Sequence, residues 1–576
     1  VNDIKTEEKF CFKFIINNLN YIENEIIGIG IKTPRGMTNY IDLLQYTDEF
    51  TNYFKEIFEN SQIAKIGHDL KVDIVQLFRL NIALKNFTFD SMIAQYLLNP
   101  SQANYSINNL SEEYFDVYGI QSEDVFGKGK GLKKARDLDK EDVMKYLSFI
   151  FESVFKLEPI MMEKIIEQRM ENLYTEVELP LAEVLANMEF IGFKIDTNEL
   201  KILGKEYDEE IDSLTKEIYE LAGSTFNINS PKQIGEILFE KLMLPVIKKT
   251  KTGYSTDVEV MEKLKDQHPI VEKILRYRQI VKLKSTYIDG LLSLINSKTN
   301  RIHSSFNQTI ASTGRISSTE PNLQNIPIRT EDGRKIRKAF IAESPNFRLL
   351  DGDYSQIELR VLAHISNDPK MKDAFVSGED IHRKTASEVF HVEKEDVTSD
   401  LRYRAKAVNF GIVYGISDFG LSRDLNIPRK EAKEYIENYF KNFQMVKKYM
   451  EDIVSEGKKN GYVETILHRR RYIPELNSKN YNVRSFGERI ALNTPIQGSA
   501  ADIIKMSMVR VYNDLRDRNL RSRLILTVHD ELILEVHKDE IDEVNKLVKN
   551  IMENAISLTI PLKVDFKIGD SWYDTK

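Results

Sequence analysis

Hydrophobic and polar positions change period several times along this chain. Near the start, Phe10 to Ile16 and Ile26 to Ile31 are short apolar runs of strand length, and segments such as Ser91 to Leu98 carry helical spacing. Residues 1 to about 165 therefore predict an α/β unit, with a basic Gly-rich loop at Gly127 to Arg136. From about 170 to 300 the apolar positions recur with helical period between long charged faces. Within that stretch Asn227 to Lys232 (NINSPK) predicts a turn and a helix start, with Ser230 as N-cap and Pro231 at the first position. Lys248 to Gly253 (KKTKTG) predicts a mobile basic tip between helices. Beyond about 300, strands and helices mix. No internal repeat or low-complexity tract interrupts the pattern.

Two apolar runs end in carboxylates. Phe347, Leu349 and Leu350 lead into Asp351 and Asp353 of LLDGDYSQIELR, which predicts a strand from Phe347 to Asp353 and a helix from about Ser355. Both aspartates lie on the same side of a strand of period two, so the pattern does not choose between them. Leu524 to Val528 and Leu532 to Val536 predict a hairpin with Asp530 and Glu531 at its apex. A solvated turn explains VHDE taken alone. Carboxylates at a buried hairpin tip, however, are costly without a cation. Two such tips together make a site for two hard divalent metals, the usual engine of phosphoryl and nucleotidyl transfer.

Leu401 to Ile416 (LRYRAKAVNFGIVYGI) places Arg402, Lys406, Phe410 and Tyr414 every four residues on one helical face. The face runs cation, cation, aromatic, aromatic over roughly 18 Å at the helical rise. Cations suit a triphosphate, and aromatics suit a base and sugar. An amphipathic helix with snorkelling cations is the plainer alternative. His382 is a second cationic candidate.

The 576 residues exceed one core and predict three or more compact units. Composition is globular, at 41% hydrophobic and 30% charged, with no apolar run of transmembrane length. A single cysteine, Cys11, excludes an internal disulfide framework or a cysteine-based zinc cluster. The net charge of −8 excludes a uniformly basic coat but leaves room for a local basic channel. The chain begins at Val1 rather than Met, which suggests a piece of something longer.

At these residues the chain resembles the family A DNA polymerases, in their large, Klenow-type fragment. The likeness rests on Ser312 to Pro327, Asp353 to Arg360, Arg402 to Gly415, Asn493 to Asp502 and Val528 to Glu531, five motifs in the family's order. It implies a multidomain α/β and α+β chain: a vestigial RNase H-like 3′–5′ exonuclease domain followed by a right-hand polymerase. The expected domains are 1–165 exonuclease-like, 166–300 thumb, 301–360 first palm segment, 361–494 fingers and 495–576 second palm segment. It further implies that Asp353, Asp530 and the Tyr354 carbonyl bind two Mg²⁺ ions, with Mn²⁺ as a substitute, and that Glu531 supports them. Arg402, Lys406 and His382 would grip the triphosphate, with Lys406 also the acid that protonates pyrophosphate. Phe410 would stack on the nucleotide, Tyr414 would cover the templating position, and Gln356 would also line the nucleotide site. Glu358 would be the steric gate against a 2′-hydroxyl. Arg315, Asn493 and Gln497 would probe the minor groove, Arg489 and His529 would touch the primer–template, and Lys248, Lys249 and Lys251 would follow duplex phosphates. The implied partners are primer–template DNA and deoxynucleoside triphosphates, not a membrane, for a monomer of the bacterial cytoplasm and nucleoid.

The chain departs from that pattern at the exonuclease site. Lys13 and Ile15 stand where Asp-x-Glu belongs, and Ile150, four residues after Tyr146, stands where the last metal-binding Asp would be. Only Asp73 survives, so the domain is predicted to fold without proofreading. Gly352 and Thr527 are smaller departures, predicted to loosen the Asp353 strand and to weaken a primer contact. A polymerase on other templates, a DNA-binding scaffold and a nuclease are rival readings. Retention of every polymerase-site residue beside decay of the exonuclease site favours the polymerase.

Overall fold

The computed structural model describes residues 2–17, 22–134, 137–251, 253–328 and 330–576. Ala135 and Arg136 of the Gly-rich loop and Thr252 of the basic tip lie outside the described residues. Contacts divide the chain into two units. The first comprises Val1–Ile191, Ser305–Ser318 and Leu350–Phe566, and the second comprises Gly192–Ser304, Thr319–Leu349 and Lys567–Lys576.

The first unit opens with β1 (Lys9–Ile16), β2 (Ile26–Lys32), β3 (Asn39–Asp42), β4 (Ala64–Gly67) and β5 (Phe87–Asp90) in one sheet of order β3-β2-β1-β4-β5. β1 runs antiparallel to β2 and parallel to β4, which is parallel to β5. A strand covered on both faces reads as a near-continuous apolar run. Phe10, Cys11 and Phe12 are accordingly all fully buried, with Phe12 edge-on to Phe58 at 5.0 Å. Helices that line this sheet include Leu43–Phe58, which carries Phe58, and α1 (Leu70–Arg79), α2 (Ser91–Leu98) and α3 (Lys140–Glu167). Asp90 caps α2 by accepting from the Met92 and Ile93 N–H groups, and Asp139 caps α3 through Glu141.

A second sheet of order β7-β8-β6-β9 is built from β6 (Phe347–Tyr354), β7 (Arg523–Val528), β8 (Glu531–His537) and β9 (Val564–Gly569). The helices that matter for the site are α4 (Ile357–Ser366), α5 (Ile381–Phe390), α6 (Ser399–Val413) and α7 (Tyr481–Asp517). α5 packs on α6, and α4 packs on both α6 and α7. The helix after β6 starts at Ile357 rather than Ser355, because Gln356 takes a left-handed φ of 49°. α6 ends one residue short of Tyr414. Gly415 at φ 64° lets the Ile416 N–H return to Gly411 O (2.8 Å) and the Gly415 N–H to Ile412 O (3.0 Å), a Schellman closure. α3, α4 and α7 run through residues 165, 360 and 494, so three expected boundaries fall inside helices.

In the second unit the helices Thr197–Ala222 and Pro269–Leu283 pack together, the first capped by Asp196. Ser230 caps the helix opening at Pro231, as predicted. In the basic tip, Lys249–Thr250 pairs antiparallel with Gly253–Tyr254. Trp572 is fully buried against Phe193 and Phe340. Among the described residues no helix is long and apolar enough to cross a membrane.

Candidate active site

β6 and the β7–β8 hairpin bring the two acidic tips together. The Tyr354 N–H donates to the Asp530 carbonyl at 3.1 Å, so Asp353 precedes the residue bonded to Asp530. Tyr354 is anchored from behind, its hydroxyl on Ser507 Oγ (2.8 Å) and Met552 O (2.6 Å). The structure separates the two aspartates that period two left equivalent. Asp351 is enclosed at 2% exposure, whereas Asp353 is partly open. At the hairpin, Val528 pairs with Glu531, so the apex is His529–Asp530 and Glu531 begins β8. This corrects the expectation of Glu531 at the apex. His529 turns the corner at φ 55° and is exposed.

Burial, reinforced by the Glu358 charge, pushes the Asp530 carboxyl above the usual range, with His529 and Arg315 opposing. The corner is thus short of positive charge. Its donors, the Asp353 and Asp530 carboxylates and the Tyr354 carbonyl, are all hard oxygens. That set fits magnesium, which takes one or two carboxylates and completes its shell with water and substrate oxygens. Among the described residues no group of three His, Cys, Asp or Glu is placed to hold a metal.

Gly352 proves to be a packing requirement rather than a loosened strand. A Cβ there would meet the Phe566 ring at 2.7 Å and Met552 Sδ at 3.3 Å. Thr527 is buried, its hydroxyl donating to Glu531 O at 3.2 Å across the hairpin.

The face predicted to meet a nucleotide lies on α6 and its C-cap Tyr414. Arg402 Nε donates to Asp380 Oδ2 at 2.7 Å, and Lys406 Nζ stands 5.9 Å from the Phe410 ring centre. The His382 ring packs on Phe410 at 5.9 Å, and its Nδ1 is 3.0 Å from Asn409 Nδ2. His382 is 2% exposed, and burial pulls its pKa down to about 4 against the pull of Asp380. It is therefore a neutral imidazole, which corrects its reading as a cation. A cavity of about 230 Å³ beside Arg402 is lined by Gln356, Asp380, Arg360 and Lys563. Sequence reading missed Arg360 and Lys563. Arg360 stood in the DYSQIELR motif, but Lys563 sits in a C-terminal loop with no periodic signal.

Five of the expected residues form one hydrogen-bonded chain. The Tyr414 hydroxyl donates to Glu358 Oε2 at 3.1 Å, and Arg315 Nη2 donates to Glu358 Oε1 at 2.7 Å. With its oxygen turned toward Arg315, the Gln497 amide accepts from Nη1 at 2.9 Å and donates to Asn493 Oδ1 at 3.2 Å. Arg489, Asn493 and Gln497 lie four apart on α7, and Arg489 is exposed. In the second unit Lys248 is held by Asp257 at 2.9 Å, while Lys249 stands 5.6 Å from the Tyr254 ring centre and Lys251 is exposed.

At the N-terminal sheet, Lys13 is paired with Asp73. Its Nζ donates to Asp73 Oδ2 (2.8 Å), His68 O (3.0 Å) and Asp69 O (3.2 Å). Asp73, fully buried, takes the Phe14 N–H on its other oxygen at 2.8 Å. Burial disfavours the ammonium, but the charges of Asp73 and Asp69 and the hydrogen bond to Asp73 together outweigh it and hold Lys13 protonated. Ile15 and Ile150 are buried in the core, and Tyr146 lies edge-on to Phe126 at 5.4 Å.

Comparison with known proteins places both regions. The model of DNA polymerase family A matches residues 197–574, and that of the DNA polymerase I ribonuclease H-like domain matches 12–157. The chain is 50% identical over 557 residues to DNA polymerase I of Geobacillus stearothermophilus, covering 97% of this chain and 63% of that protein. It is 48% identical over 566 residues to DNA polymerase I of Bacillus subtilis, covering 98% and 64%. It thus spans less than two thirds of these relatives. A solved structure, the POL domain of Pol1 from M. smegmatis in complex with DNA primer-template and dNTP, superposes with a TM-score of 0.89 at 37% identity. That likeness covers 100% of this chain and 97% of the other.

Proposed function

The chain belongs to DNA polymerase family A, and we propose that it extends a primer 3′ end on a DNA template with deoxynucleoside triphosphates and does not proofread. The hydrogen-bonded chain from Tyr414 through Glu358, Arg315 and Gln497 to Asn493, in the same unit as the Asp353–Asp530 corner, carries this reading.

Asp353, Asp530 and the Tyr354 carbonyl would hold two magnesium ions, with Glu531 in support, and the ions would supply acidity to the primer hydroxyl and charge neutralisation to the triphosphate. Arg402 and Lys406 bind the triphosphate at the cavity beside α6, and Lys406 supplies a proton to the departing pyrophosphate. Neutral His382 hydrogen-bonds to Asn409 and packs on Phe410, which stacks on the incoming nucleotide; Gln356 borders the same cavity. Glu358, held between Arg315 and Tyr414, fills the space a ribose 2′-hydroxyl needs. Arg315, Gln497 and Asn493 present donors to the minor groove, where acceptors occur in every correct pair. Arg489 and His529 meet the primer–template, and Lys248, Lys249 and Lys251 follow its phosphates.

The division into 1–165, thumb 166–300, palm 301–360 and 495–576, and fingers 361–494 belongs to this proposal, as do a monomeric state and work in the bacterial cytoplasm at the nucleoid. Loss of proofreading follows from Lys13. Its ammonium sits on Asp73, where a cation would be needed, and Ile15 and Ile150 offer no donor.

The test is a 5′-labelled primer on a longer DNA template with magnesium, with and without the four deoxynucleotides. Lengthening with them and no shortening without them is expected. Asp530→Ala should abolish lengthening while primer–template binding remains. Shortening without nucleotides would overturn the proofreading claim, and an active Asp530→Ala would overturn the site.

A further inference from the structure

Arg315 ends a short segment, 308–315, that is pinned at three points by groups outside the nucleotide site. At Gln308, the side-chain amide donates to Glu178 O at 2.7 Å and to the Glu178 carboxylate. At Ala311, the carbonyl accepts the Tyr96 hydroxyl at 2.6 Å and the Gly314 N–H at 3.0 Å, closing a tight turn. At Gly314, φ is 85° and a Cβ would lie 2.8 Å from Arg469 Nε, so the guanidinium rests on the glycine itself.

Arg469 is in turn fixed by two buried carboxylates. Its Nε donates to Asp502 Oδ1 at 2.8 Å, and its Nη2 reaches Glu178. Lys505 Nζ also donates to Glu178, at 2.7 Å, and Thr465 Oγ1 donates to Asp502 Oδ2 at 2.7 Å. Glu178, Asp502, Arg469 and Lys505 are all at most 1% exposed, and two negative charges face two positive ones. A balanced buried cluster contributes little net stability but resists any rearrangement that would leave a charge unpaired. It is therefore a rigid mount for Gly314, one residue before Arg315.

Tyr96 lies on α2 inside the ribonuclease H-like match, and Glu178 lies between the two matched regions. Neither touches the nucleotide face. We infer that Tyr96 and Glu178 are positioning residues for Arg315, so the N-terminal region serves primer extension by fixing the turn that aims this guanidinium. The inference rests on the polymerase reading above. It assigns the region a duty that needs no metal and explains how it can serve without a nuclease centre.

The experiment uses the full chain and single-turnover extension of a matched primer, with thermal melting alongside. Tyr96→Phe removes only the hydroxyl. Loss of one hydrogen bond is expected to slow extension about fivefold. The decisive comparison is the double variant: Tyr96→Phe combined with Arg315→Ala should extend no more slowly than Arg315→Ala alone. Glu178→Gln should show the same non-additivity, and if it fails to fold, Tyr96→Phe decides. Tyr174→Phe, which loses a buried bond to Asp90 in the same region (2.8 Å), should shift melting and leave extension unchanged. An unchanged rate for Tyr96→Phe, or effects of Tyr96 and Arg315 that multiply, would overturn the inference. No extension by the unsubstituted chain would instead remove the polymerase premise, and the inference with it.

Discussion

Replacing Lys13 by Met strips a buried carboxylate of its partner, and the loss should depend on pH. Lys13 donates three hydrogen bonds, one of them to Asp73, which has no exposed surface. Removing one member of a buried pair costs about 3–5 kcal/mol while the other stays charged. Asp73 can escape by taking a proton. Burial already raises the Asp73 carboxyl to about 7 in the native protein despite Lys13, so relative to that state the route costs about 1.4 kcal/mol for each pH unit above 7, or on the order of 1.4 kcal/mol at pH 8 and almost nothing at pH 5.5. The cheaper route sets the loss of charge stabilisation, on the order of 1.4 kcal/mol at pH 8 and close to zero at pH 5.5. The sign follows from linkage. A folded-state carboxyl pKa raised above the unfolded one makes the folded state bind more protons, so the variant regains stability as pH falls. Adding Asp73→Asn should restore most of the loss at pH 8, since no charge then remains. A chain this large does not unfold in two states, so amide exchange along β1 is the better measure, with melting as a check. Unchanged β1 protection in Lys13→Met, or a loss equal at both pH values, would refute the reasoning.

Four further outcomes are expected. Glu358→Ala, which frees Tyr414 and Arg315 from a shared carboxylate, should raise ribonucleotide incorporation relative to deoxynucleotide by roughly 10- to 100-fold in competition kinetics. The unsubstituted chain, with Phe410, should discriminate against dideoxynucleotides, and Phe410→Tyr should relax this in a chain-termination assay. His382, depressed from 6.5 to about 4, stays neutral when folded but protonates when unfolded; stability should therefore fall as pH drops from about 6.5 toward 4, by on the order of 3 kcal/mol, and His382→Gln should flatten that slope in pH-dependent melts. Gly352→Ala, with Phe566 at 2.7 Å from the new Cβ, should lower stability by about 1–3 kcal/mol in the same melts.

Much of the site was legible before any coordinates. Period-two and helical spacing located β6, the β7–β8 hairpin and α6, because these depend on which side chains face a core. Ser230 and Pro231 announced their helix start for an equally local reason. The order of five motifs then named the family.

What the linear pattern left open were quantities set by distant neighbours. Asp351 and Asp353 were equivalent by spacing, and only the enclosure of one and the opening of the other beside Asp530 separated them. His382 read as a cation until burial against Phe410 and Asn409 made its charge too costly. Gly352 read as a weakness until Phe566 filled the space of its missing side chain. Tyr96, Glu178, Arg469 and Lys505 carried no motif between them, yet they meet in one buried cluster across gaps of 36 to 409 residues. Local spacing determines secondary structure and the chemistry available, because backbone geometry repeats over a few residues. Burial, charge state and partnership are decided by tertiary packing, because they depend on atoms that arrive from far along the chain.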